Sequence, residues 1–101
     1  MVDLNLPFKF VHRKQINYMS EFFLYRLDQS GDAEIYAKFP TLQMAQLSAS
    51  LLLIKSFCFI LSGDMDKIYF YDDKDGWDYD ILTQKGKLEF LDIYPNPKDY
   101  K

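Results

Sequence analysis

One cysteine and one histidine are all that this chain of 101 residues offers to thiol or imidazole chemistry. Cys58 alone excludes an internal disulfide, and Cys58 with His12 falls short of the ligand set of a Cys/His zinc site. A Ser-His-Asp triad would have to use His12, which stands beside Arg13 and Lys14 with no neighbouring carboxylate to set its tautomer. Glycine is scarce as well. Gly31, Gly63, Gly76 and Gly86 lie far apart, so no glycine-rich loop cradles a phosphate, and each falls in an expected hairpin turn. No apolar run approaches the ~20 residues of a membrane-spanning helix. Leu51 to Ile54 meets Lys55 at once, and Phe57 to Leu61 ends at Ser62. The opening MVDLNLPFKF has neither the basic start nor the apolar middle of a secretory signal, so a cytoplasmic protein without membrane contact is expected. Basic clusters are limited to His12-Arg13-Lys14, which argues against direct binding of nucleic acid.

Aromatic residues, by contrast, are abundant. Nine Phe, eight Tyr and one Trp make up 18% of the chain, enough to fill a core without disulfide or metal staples. The length fits one domain over 1–101. Residues 7–13 alternate in the manner of an edge strand. Residues 21–27 and 33–39 are aromatic and β-branched runs around the polar turn DQSGD, a hairpin pattern; 14–27 also carries apolar residues at helical spacing, and strand is preferred for 21–27 because its partner follows directly. Pro40 ends the second run, and Thr41 is placed to cap a helix. Leu42, Ala45, Ala49, Leu52 and Leu53 then recur at three- and four-residue steps, which predicts one main helix over 42–55. The runs 56–62, 67–72, 77–83 and 87–94 are separated by SGDMD, DDKDG and QKGK and read as four further strands. The expected fold is α+β, a curved antiparallel sheet of six or seven strands with one helix, in the order β-β-β-α-β-β-β-β, and a frayed tail over 95–101. One helix is too small to cover such a sheet. Either the sheet curls around it, or part of the other face is meant for something else.

Charge is concentrated. Residues 1–50 are neutral, whereas 64–80 hold seven Asp against two Lys. The segment YFYDDKDGWDYD, 69–80, contains five aspartates and the only tryptophan. An EF-hand loop anchored on Gly76 would find Asp75 and Asp73 in place but Tyr71 and Leu82 at its first and last ligand positions, so that motif is rejected. No metal, cofactor or catalytic residue is assigned, and no enzyme is expected. Asp75-Gly76 is a turn signal, which accounts for one or two aspartates and no more. Strand alternation puts Tyr69 and Tyr71 on one face of their strand and Trp77 with Tyr79 on one face of theirs; the simplest pairing joins the four into one aromatic ladder, with Asp72, Asp73 and Asp75 at the tip and Asp78 and Asp80 behind. Aromatic anchors rimmed by acids suit the docking of a basic protein, because Trp and Tyr dominate interface hot spots and a negative rim speeds the encounter.

In general character this segment resembles those of immunity proteins of bacterial toxin systems, especially those that guard against nucleases. The likeness is one of composition and carries no functional residue over. It implies a small acidic inhibitor that neutralises a basic cognate toxin, and the charge and alternation of this segment, not the likeness, place the contact at Tyr69, Tyr71, Asp72, Asp73, Asp75, Trp77, Asp78, Tyr79 and Asp80. Two alternatives stand beside it: a homo-oligomeric module, such as a homodimer, whose aromatic face is buried by a second copy, and a DNA mimic, against which the neutral first half argues.

Overall fold

A computed structural model describes residues 21–100. The strand expected over 7–13, with His12, lies outside them, as do residues 14–20. The first described element is the expected hairpin, β1 (Phe22–Leu27) and β2 (Ala33–Phe39). Its turn is built by Asp28, whose carboxylate accepts from the backbone N–H of Ser30 and Asp32, while Gly31 takes a φ of 92° that a side chain would resist. The pairing slips once. Leu24 faces Ala37 but Tyr25 faces Ile35, so Tyr36 is an extra residue in β2. This bulge reverses the side-chain parity of the strand. Ile35 therefore packs on one face of the sheet and Phe39, four residues on, on the other.

Helix α1 (Leu42–Leu51) begins as expected, with the Thr41 hydroxyl accepting from Met44 N–H at 3.2 Å. It ends earlier than the expected residue 55. Ile54 N–H bonds back to the Ala49 carbonyl and Leu53 N–H to that of Ser50, the paired closure of a Schellman motif. That motif needs one residue in the left-handed region, and Leu53 supplies it at φ 60°. A glycine there would have announced the stop; an unbroken run of leucines concealed it. A single 3-10 turn, Lys55–Phe57, leads into β3 (Cys58–Ser62), β4 (Lys67–Asp72) and β5 (Gly76–Ile81).

The remaining expected strand, 87–94, is a helix. Helix α2 runs from Gln84 to Ile93, and QKGK is its first turn instead of a hairpin bend. Thr83 caps it, its hydroxyl accepting from Gly86 N–H at 3.1 Å. Lys, Leu and Glu in its body are good helix formers. Phe90 and Tyr94, four residues apart, face the sheet together. The sheet thus has five strands among the described residues, all antiparallel, in the spatial order β2-β1-β3-β4-β5. The element order is β-β-α-β-β-β-α, and the α+β class holds.

With two helices, both faces of the sheet are covered. On one, Leu24, Cys58 and Ile60 meet Ala45 and Ala49 of α1, whose small side chains let the helix lie close. On the other, Phe23, Tyr25, Phe59 and Leu61 meet Phe90 of α2. Tyr25 and Phe59 stack with centroids 4.7 Å apart, and Phe90 stands edge-on to both. All five residues of β3 are buried, as a central strand between two helical layers requires. Residues 95–100, expected to fray, pack against this second face. The Tyr25 hydroxyl donates to the Pro95 carbonyl at 2.7 Å, Pro97 is buried, and Tyr100 stands edge-on to Phe23.

Candidate functional site

The acidic segment forms the hairpin β4–β5, at one margin of the sheet among the described residues. Its register is the simple one: Tyr69 opposite Tyr79, Tyr71 opposite Trp77, Asp72 opposite Gly76. Gly76 adopts a φ of 81°, and the Asp72 carboxylate accepts from Lys74 N–H at 2.7 Å, so one aspartate and one glycine shape the bend. Cross-strand packing then builds the ladder. Tyr69 and Tyr79 have centroids 5.8 Å apart, and Tyr71 and Trp77 meet edge-on at 5.5 Å. Lys55 lies 4.4 Å above the Tyr71 ring and Lys67 5.1 Å above that of Tyr79.

The ladder shares the α1 face of the sheet. Tyr69 and Trp77 are half-buried against the α1 layer, and Tyr79 is the exposed member at 48%. Leu42 and Gln46 of α1 complete an open groove of about 350 Å³ with Tyr69, Trp77, Asp78 and Tyr79. Sequence reasoning missed these two helix residues. Their signal was the small pair Ala45 and Ala49, which brings α1 down beside the hairpin.

The aspartates do not surround the indole evenly. Asp72, Asp73 and Asp75 occupy the tip, and Asp73 accepts from the Ser56 hydroxyl at 3.1 Å, joining the tip to the 3-10 turn. Asp78 and Asp80 pair opposite Phe70 and Ile68, so their side chains start from the face opposite the ladder. All five are exposed, and among the described residues the ion pairs involve other carboxylates: Glu34, Glu21 and Asp66. Among the described residues no three His, Cys, Asp or Glu side chains converge in a metal-holding group.

Elsewhere the chemistry is subdued. Cys58 is buried, which pushes its thiol up to about 11, where little thiolate forms at neutral pH. Burial also raises the Tyr25 phenol far above its ordinary value, so its hydroxyl stays a donor. Among the described residues no helix is long and apolar enough to cross a membrane. Compared with known proteins, the chain matches no family model, no curated protein and no solved structure.

Proposed function

We propose that this protein is a small inhibitor of the immunity type that binds and neutralises a basic protein, a bacterial toxin with a cationic groove being the partner of best fit. One observation carries the reading. Five exposed aspartates without a described ion-pair partner sit on a marginal hairpin beside an open groove lined by Trp77 and Tyr79. The like charges of such a hairpin repel one another, and a cationic surface relieves that repulsion on binding. In this reading Asp72, Asp73 and Asp75 steer the encounter, Asp78 and Asp80 extend the negative field, and Tyr79 enters the contact while Tyr69, Tyr71 and Trp77 support it from below. Rim charges act mainly on the rate of association, so binding weakens as salt rises.

The test uses the full chain as bait for proteins of its source cell, with partners identified by mass spectrometry. Association with the partner so found is then timed at low salt. Asp72→Asn, Asp73→Asn and Asp75→Asn together should slow it by about tenfold or more. An unchanged rate, or capture only of acidic proteins, removes the assignment.

A further inference from the structure

The outer surface of α1 is apolar and uncharged. No Asp, Glu, Lys or Arg occurs between Thr41 and Ile54. Ala45 and Ala49 point into the sheet, which turns Met44, Leu47 and Leu51 outward, and these are 49%, 59% and 74% exposed. Leu52 and Leu53 continue the stripe past the end of the helix, Leu53 at 86%. Taking on the order of 150 Å² for a fully exposed side chain of this size, the five leave roughly 450 Å² of apolar surface open. Single exposed leucines need no explanation, whereas a joined patch of this extent is in the range of the largest on an ordinary monomer, which is often functional.

We infer that this stripe is the interface of a homodimer, in which α1 of one copy packs against α1 of a second about a two-fold axis. Three observations select a second copy over a foreign partner. The stripe has no charge with which to choose a charged partner, whereas two uncharged helices meet without repulsion although each chain has a net charge of −3. Doubled by the two-fold, the apolar area comes to about 900 Å², and with Gln43 and Ser50 at its rim the total contact area reaches the ~1,000 Å² expected of a specific interface. The spacing of Met44, Leu47 and Leu51, by three and then four residues, lines up one apolar seam along α1, the pattern with which a helix packs against a second helix. Gln46, which lines the groove beside Trp77 and Tyr79, lies on the flank of α1 away from Met44 and Leu51. The inference stands independently of the inhibitor reading, because it uses no residue of the hairpin.

Sedimentation of the full chain from micromolar to millimolar concentration decides it. The expected result is a shift from 12.0 kDa to twice that mass. Leu47→Glu should raise the dimer dissociation constant by roughly 30-fold or more, as a truncated hot spot does. Its far-ultraviolet circular dichroism should match the wild type, since Leu47 is exposed. Should Leu47→Glu fail to fold, Leu47→Gln serves on the same axis. Asp72→Asn with Asp75→Asn should leave the mass unchanged. A wild type that stays monomeric overturns the inference, whatever else covers the stripe. So does a dimer that persists undiminished in both Leu47→Glu and Leu51→Glu.

Discussion

Replacing Leu53 with glycine should stabilise the protein, although it removes a large apolar side chain. Leu53 holds the left-handed conformation that closes α1, at φ 60°. For a residue with a Cβ this costs about 1–2 kcal/mol. Glycine escapes that cost but loses about 0.5–1 kcal/mol through the greater freedom of the unfolded chain. The side chain itself is 86% exposed, so its deletion forfeits little burial. The hydrogen bonds from Leu53 and Ile54 to Ser50 and Ala49 are backbone to backbone and survive the change. The difference leaves a net gain of about 0.5–1 kcal/mol, a rise in Tm of about 2–8 °C for a domain of this size. Urea unfolding in the Leu47→Glu background gives the value free of any contribution from association. Leu53→Ala is the control, because alanine removes the side chain and keeps the strain. Glycine should exceed alanine by roughly 1 kcal/mol. If glycine is no better than alanine, or lowers stability, position 53 is not held in the left-handed region and the account of the end of the helix is wrong.

Two further outcomes test the second face of the sheet and the turn beside it. Tyr25→Phe deletes the hydroxyl that donates to Pro95 and should cost about 1 kcal/mol, with faster amide exchange over 96–100 and little change in α1. Unaltered exchange there would mean that the bond does not hold the tail. Asp64 is held below the ordinary carboxylate range by the Ser62 hydroxyl, by the Asp66 backbone N–H and, more weakly, by Lys87. A depressed carboxylate stabilises the fold fully above its unfolded pKa of about 4 and loses that contribution as pH falls through the lower folded value. Wild type should therefore exceed Asp64→Asn in urea midpoint at neutral pH, and the gap should narrow at progressively lower pH in the acid range. A gap that stays constant or widens on acidification contradicts the assignment.

What the sequence disclosed and what it hid follow from how local each cause is. The β1–β2 hairpin, the cap at Thr41 and the β4–β5 register were legible because each is set by residues a few positions apart: DQSGD, Thr41 ahead of an apolar run, Asp75-Gly76. The end of α1 was not, because the residue that closes it is a leucine doing what glycine usually does. Helix α2 was misread for another reason. QKGK passes for a hairpin bend, and the apolar Leu88, Phe90, Leu91 and Ile93 that follow it pass for one more strand of the meander, although Phe90 and Tyr94 stand four residues apart. The packing of Phe90 against Tyr25 and Phe59 decides for the helix, and that contact joins residues far apart in the chain. The extra residue at Tyr36 left no local mark at all. Within the candidate site, the grouping of the four aromatic residues was readable from alternation. The half-burial of Trp77 was not, because it depends on where α1 lies.

The place of β5 at the outside of the sheet gives two of its aspartates a further duty. Among the described residues this strand has a neighbour on one side only, so its other side offers unused backbone N–H and C=O groups to any passing extended chain. A second β5 arriving antiparallel would bring the carboxylates of Asp78 and Asp80 against their own kind at close range. Growth of the sheet from molecule to molecule at that margin, beside the aromatic ladder, would thus have to set like charges face to face.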